Sequence, residues 1–329
     1  MEGETTLKAI TCHRYGAPDV LEFEEVDDPV VGDDEVLVGV RAVSANPRDW
    51  HFMRGLPYFV RLQFGLRGPR REVLGSDVAG RVEAVGRAVT RFRPGDEVFA
   101  DIETGGFGEY AAVREDLLEP KPANLGFEQA AAVPLAALTA LQGLRDHGRV
   151  QSGQKVLIIG AAGGVGTFAV QLAKLSGAEV TGVCSTGKLD LVRSLGADHV
   201  IDYTREDVTR GDQRYDLVLQ LAGTSSPADC RRALTPSGTL LLSSGESAGR
   251  WIGPVGRIIK AVVVSPFVGQ RLAPFLARQS REDLQTVREL VEQGKLSPVI
   301  DRTYPLRETP EAIRHLEQGH ARGKLVITV

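Results

Sequence analysis

The chain has 329 residues, with 39 basic and 43 acidic side chains and a formal net charge of −4. That balance gives no electrostatic case for nucleic acid, which favours a basic stripe, and the length allows two domains of ordinary size. Cys12, Cys184 and Cys230 are widely spaced and form no C-x-x-C pair, which excludes a disulfide framework or a cysteine-rich zinc knuckle. The most apolar late run, residues 258–268, is broken by Lys260 and Pro266 and is too short to span a bilayer. The N-terminus is acidic and has no signal pattern, so a cytoplasmic protein with no membrane or nucleic-acid partner is expected.

The first third reads as β-rich. Residues 36–43 place apolar side chains at alternate positions, as a half-buried strand does, and 81–86 reads as another strand. Arg93-Pro94-Gly95-Asp96 has Pro and Gly at the two central positions of a turn, and a strand at 97–100 follows. Residues 127–144 are rich in Ala and Leu and predict helix, broken or kinked at Pro134.

From residue 155 the elements alternate. A continuous apolar strand at 155–159 suits burial on both faces. A helix over 164–176 puts Val165, Phe168, Leu172 and Leu175 on one stripe. Strands at 179–184, 199–202, 216–221 and 239–243 continue the pattern, with a helix at 188–195. That alternation predicts a parallel sheet with right-handed crossovers. In the tail, Ser280 and Asp283 resemble a capping box, Thr309-Pro310-Glu311 opens a second helix, and 324–329 reads as a last strand.

Between the strand at 155–159 and its helix lies Gly160-Ala161-Ala162-Gly163-Gly164-Val165-Gly166. Against the dinucleotide pattern G-x-G-x-x-G, Ala161 holds the first slot, Gly163 the second and Gly166 the third. Gly163 lets backbone approach a pyrophosphate, Gly166 lets the helix pack on the strand, and the N–H groups at the helix start face the phosphates. Gly163, Gly164, Val165 and Gly166 are therefore cofactor-binding candidates. The next strand ends in Cys184-Ser185-Thr186-Gly187-Lys188, where an NAD-preferring site usually has Asp or Glu. Hydroxyls and Lys188 suit a ribose 2′-phosphate, so Ser185, Thr186 and Lys188 point to NADPH. The competing reading is that Ser185 and Thr186 merely cap the next helix.

The chain resembles the zinc-free quinone oxidoreductase group of the medium-chain dehydrogenase/reductase superfamily. The likeness rests on Ser44-Ala45-Asn46-Pro47-Arg48-Asp49-Trp50, Leu74-Gly75-Ser76-Asp77-Val78-Ala79-Gly80, Arg93-Pro94-Gly95-Asp96-Glu97-Val98, the Gly-rich loop, and Leu195-Gly196-Ala197-Asp198-His199-Val200-Ile201-Asp202. It implies an α/β chain: a GroES-like β-rich catalytic domain (1–123), a Rossmann doubly wound parallel sheet (124–266), and a C-terminal return to the catalytic domain (267–329). Zinc-dependent relatives carry Cys and His where this chain has Asn46 and Ser76, which are poor ligands for a metal that prefers thiolate and imidazole. No metal site is expected.

The resemblance also assigns candidate roles. Asn46 is placed near the nicotinamide, its amide facing the substrate as a donor; an Asn-Pro turn is the plainer reading. Tyr58 is a candidate proton donor. Thr139 takes the position that approaches the nicotinamide, or else is an ordinary helix threonine bonded to its own backbone. Asp49 and Trp50 read as structural. Leu221, Ala222, Ser243 and Ser244 lie at ends of parallel strands, where such sheets bind ligands. Tyr203 is expected near the adenosine and Lys324 near the phosphates. Gln220 departs from the Asp that many relatives carry.

Hydride addition to a quinone or an enone spreads negative charge that hydrogen-bond donors can hold without a Lewis acid. The expected function is therefore NADPH-dependent, zinc-independent reduction of quinones or α,β-unsaturated carbonyls. A 2-enoyl-thioester reductase, with Arg61, Arg67, Arg70 and Arg71 as a basic mouth, is an alternative. An NADPH-binding protein with little activity is another. The apolar segment 258–264 is expected to pair as an edge strand across a homodimer.

Overall fold

The structure is a computed structural model that describes residues 6–58, 60–223, 225–243, 256, 261 and 263–329. In chain order its strands are β1 (Thr6–Cys12), β2 (Leu21–Asp27), β3 (Glu35–Ala45), β4 (Asp77–Val85), β5 (Glu97–Asp101), β6 (Tyr110–Arg114) and β7 (Glu119–Pro120). There follow β8 (Lys155–Ile159), β9 (Glu179–Cys184), β10 (His199–Asp202), β11 (Tyr215–Gln220), β12 (Leu234–Leu242) and β13 (Arg271–Pro274). The tail adds β14 (Ile300–Pro305) and β15 (Lys324–Thr328).

The chain forms two units. The first comprises Met1–Leu135, Gln279–Gly294 and Pro298–Val329; the second comprises Ala136–Arg278 and Lys295–Ser297. In the first unit β1 and β2 form an antiparallel pair, and a larger sheet runs β14-β15-β3-β4-β5-β7 with β6 also on β3. All its pairings are antiparallel except β14 with β15. Val36, Val38, Val78, Val98, Leu325 and Ile327 bury their side chains in one core beneath it. The turn before β5 forms as its residues dictate: Asp96 N–H donates to Arg93 O at 3.2 Å, and Gly95 takes φ +98°.

The second unit is a six-stranded sheet in the order β10-β9-β8-β11-β12-β13, parallel throughout. Counted from β8 this is 3-2-1-4-5-6, the doubly wound order that reverses direction between β8 and β11. Val156, Leu157 and Ile158 are fully buried, as a central strand covered on both faces requires. The helix Gly164–Leu175 buries Phe168, Ala169, Leu172 and Ala173, while Leu175, expected on the same stripe, is 47% exposed at the helix end.

One expectation holds as a break at Pro134, and another changes. The Ala/Leu-rich stretch is two helices, Phe127–Ala131 and Pro134–Gln142, because Pro134 opens the second one. The segment 258–264 lies mostly outside the described residues. Its described members, Ala261, Val263 and Val264, are helical, not extended, and Ala261 is buried while Val263 is exposed. Apolar runs of this length suit strand or helix equally, and opposite burial at two residues' spacing, which a strand would place on one face, decides for helix here. The sixth strand comes later, as β13.

Candidate active site and dinucleotide loop

The first unit holds a buried polar cluster built by three adjacent strands. Register places Ser44 of β3 opposite Asp77 of β4, and Leu325 of β15 opposite Ala45 of β3. Asn46, just after β3, and Lys324, at the start of β15, therefore lie side by side. Asn46, Ser76, Asp77 and Lys324 are all at most 3% exposed.

Asn46 is the N-cap of the helix Pro47–Arg54. The helix start is satisfied from the other side: Asp49 Oδ2 accepts the Asn46 backbone N–H at 2.7 Å. The Asn46 amide group donates to Ser44 O (3.1 Å), Ser76 Oγ (3.1 Å) and Asp77 Oδ2 (2.9 Å), and its Oδ1 accepts from Lys324 Nζ at 2.5 Å. Carboxylate on one side and ammonium on the other fix which end is nitrogen. Three acceptors already share its two hydrogens. In this arrangement the amide donors are engaged within the cluster.

The Lys324 ammonium group is paired with Asp77 Oδ2 at 3.4 Å in the same buried cluster. Burial pushes its pKa down, and the carboxylates of Asp77, Asp49 and Asp101 oppose that shift. Arg48 is held bidentately by Asp101, at 2.6 and 3.0 Å. Asp77 Oδ1 accepts the Leu135 N–H at 2.9 Å, at the start of the helix that carries Thr139. Thr139 is 7% exposed. Burial pushes the Asp49 carboxyl up to about 7, and its Oδ1 is buried without a hydrogen-bond partner.

These residues do not fit a metal. Asn46 and Ser76 offer neither thiolate nor imidazole, and an ammonium group already stands between Asn46 and Asp77. Among the described residues, the group near enough to share an ion is His13, just after β1, with Glu22 and Glu24 of β2, at the first unit's surface. Sequence spacing missed it because hairpin register, and not helix periodicity, brings the three together.

Tyr58 is half-buried after the helix Pro47–Arg54. The Arg61 guanidinium lies 4.7 Å from its ring centroid and 4.5 Å from that of Tyr15, and donates to Gly55 O at 3.0 Å. Arg71 donates to Thr104 Oγ1.

In the second unit the loop after β8 has the properties a dinucleotide needs. Gly160 takes φ +91°, so the tight turn falls one residue before the Ala161 slot. A Cβ on Gly166 would sit 2.1 Å from Gly160 O, which only glycine avoids. At Gly163 the nearest protein atom would be 3.5 Å from a Cβ, so the fold itself leaves room there. Gly163 is the N-cap of the helix and brings no side-chain acceptor, which leaves the first-turn N–H groups of Gly164, Val165 and Gly166 to a ligand. These features fit a dinucleotide.

Neighbouring strand ends close the site. Leu221 N–H donates to Ile159 O at 3.0 Å, and a Cβ on Gly160 would meet the Ala222 Cβ at 2.8 Å, so the loops after β8 and β11 touch where the strand order reverses. Ser243 N–H donates to Gln220 O at 3.2 Å at the end of β12; Ser244 lies outside the described residues. Buried Gln220 donates through Nε2 to Ser225 O and accepts from Cys230 Sγ, which gives it a role in fastening this loop.

At the end of β9, Ser185 makes no side-chain cap bond, so the plain capping reading is not what occupies it. Tyr203 is 61% exposed, and its N–H donates to Cys184 O. The strand-end argument missed one carboxylate. Asp202, opposite Cys184 in the parallel register, accepts from Thr186 Oγ1 at 2.5 Å and from Thr204 N and Oγ1. Those donors hold its carboxyl below the usual range, the Thr186 bond first.

A doubly wound parallel sheet with this loop, in one chain with a mostly antiparallel sheet unit, defines a two-domain nicotinamide-dependent oxidoreductase. The family profile described as an alcohol dehydrogenase GroES-like domain matches residues 32–123, and that described as a zinc-binding dehydrogenase matches 195–327. The 2-methylene-furan-3-one reductase of Solanum lycopersicum is 36% identical over 98% of this chain and 79% of its own length. The chloroplastic NADPH-dependent alkenal/one oxidoreductase of Arabidopsis thaliana is 34% identical over the same shares. The solved quinone oxidoreductase from Coxiella burnetii superposes with a TM-score of 0.87 at 31% identity, over 99% of this chain and 100% of that one. The chain belongs to the medium-chain dehydrogenase/reductase superfamily, among its quinone oxidoreductase-like members, and is an NAD(P)H-dependent oxidoreductase.

Proposed function

We propose that the protein uses NADPH, without zinc, to reduce quinones or α,β-unsaturated carbonyls. The observation that carries the reading is the buried ammonium of Lys324 among Asn46, Ser76 and Asp77. With that position filled there is no Lewis acid to polarise a simple ketone. Acceptors whose own conjugation spreads the incoming negative charge need none. NADPH supplies the hydride when bound. The chain's part is to hold it on the Gly163–Gly166 loop and to bind its adenosine end with Ser185, Lys188 and Tyr203. Thr186 joins them as the weaker contributor, since its hydroxyl is already turned to Asp202.

Support also comes from the relatives, whose names describe quinone, alkenal and enone-type reductases. The thioester alternative loses ground because Arg61 and Arg71, half of its expected basic mouth, are spent on Tyr15, Tyr58, Gly55 and Thr104.

The test is a screen of NADPH oxidation across quinones, enones, enals and enoyl thioesters. Turnover with a quinone or an enone is expected. Background rates with every acceptor favour a binding role, and a preference for thioesters favours the alternative.

A further inference from the structure

We propose that Lys324 is a positioning residue of the reductase site: its buried ammonium is the fixed cation that locks Asn46 and Asp77 and, through Asp77, the first turn of the helix carrying Thr139. The inference rests on the proposed reductase function and adds to the Lys324 contacts the one that Asp77 makes with the Leu135 N–H.

The charges in the cluster are unequal. Three acids, Asp49, Asp77 and Asp101, face two bases, Arg48 and Lys324. Arg48 is held by both oxygens of Asp101. Lys324 is the ion-pair partner of Asp77, at 3.4 Å. Its other contact, Asn46 Oδ1, lies 278 residues away in sequence, so β15, the last strand of the chain, also completes this cluster.

The geometry is that of a relay of fixed contacts. Lys324 holds the oxygen of the Asn46 amide, which turns the nitrogen onto Ser44 O, Ser76 Oγ and Asp77 Oδ2. With Oδ2 of Asp77 engaged by Asn46, Ser44 and Lys324, Oδ1 points to the Leu135 N–H. Leu135 is the second residue of the helix Pro134–Gln142, and Thr139 follows one turn later. A carboxylate at a helix start both accepts an orphan N–H and complements the helix dipole. Freeing Lys324 releases the amide and the carboxylate together.

A purely structural role for Lys324 would be to neutralise Asp77. The two roles separate in a set of three variants, Lys324→Met, Asp77→Asn and the double variant. Removing one partner strands a buried charge; removing both leaves none. We expect each single variant to lower Tm and the double variant to regain most of the loss. Positioning predicts that the double variant stays at least about tenfold below wild type in kcat, since a small misplacement is costly. KM for NADPH should remain within about twofold. A double variant with wild-type kcat, or Lys324→Met with wild-type kcat, overturns the proposal.

A second measurement needs no acceptor. Amide hydrogen exchange at Leu135, read against Leu157 in the parallel sheet of the same protein, should quicken by at least about tenfold in the double variant. Unchanged relative protection overturns the proposal. If no acceptor turns over in wild type, the proposed function fails, and the exchange measurement still decides the positioning claim.

Discussion

Asp49 and Asp77 lie in the same buried cluster and carry different burdens. Asp77 has an ammonium, two side-chain donors and a backbone N–H. Asp49 has one backbone N–H on Oδ2 and nothing on Oδ1. Its carboxyl rises from 3.8 to about 7 in the folded protein, chiefly through desolvation, against the pull of the Asn46 N–H and Arg48 and with Asp77 adding to the rise. The folded state therefore holds this proton more tightly than the unfolded chain. Stability from this group is full below about pH 4 and is lost as pH rises through about 7. Asp49→Asn should flatten the fall of Tm between pH 5 and 8, read by thermal melts; an unchanged slope would contradict the assignment. Removing Lys324 alone should cost about 3–5 kcal/mol, the usual penalty for stranding a buried charge.

The position of Asn46 was legible in the sequence, but the direction of its amide was not. Its partners arrive from Asp77, 31 residues on, and from Lys324, 278 residues on. No local spacing encodes contacts that sheet register creates. Asp202 was missed for the same reason, since it comes from the strand beside Ser185 and Thr186.

At the scale of elements, the phosphate loop makes two glycines separable. Gly166→Ala places a Cβ 2.1 Å from the Gly160 oxygen and should prevent proper folding or lower Tm sharply. Gly163→Ala meets nothing nearer than 3.5 Å, so it should fold with Tm nearly unchanged yet weaken NADPH binding at least about tenfold by occupying the pyrophosphate's approach. Fluorescence titration and thermal melts check the pair; equal effects on both would contradict the loop's assignment. The C-terminal helix Arg281–Glu292 is a simpler case. Ser280 Oγ accepts the Asp283 N–H at 3.2 Å, and Ser280→Ala should cost about 1 kcal/mol in a denaturant titration.

Elements with a strong period were readable. The alternating strands and helices from β8 onward, the Pro94-Gly95 turn and the Ser280 cap follow from local chemistry. The segment 258–264 was not, because a short apolar run satisfies both periods until burial on one face decides. Its reading as a helix in the described positions removes one argument for an edge strand there, and β13 takes that place in the sheet.

For the whole molecule, one unit's mostly antiparallel sheet buries the Asn46 cluster and the other unit's parallel sheet carries the Gly-rich loop. We expect the chain to act as a homodimer, and sedimentation velocity should show about twice the 35.5 kDa of one chain; a monomer alone would contradict that. Among the described residues no helix is long and apolar enough to cross a membrane.

The central claim we propose is that this oxidoreductase works without zinc, with the Lys324 ammonium held among Asn46, Ser76 and Asp77. It is tested most directly by following NADPH oxidation with a quinone and with an enone, before and after exhaustive treatment with a zinc chelator. The account predicts turnover that the chelator leaves unchanged. Turnover abolished by the chelator and restored by added zinc would contradict it.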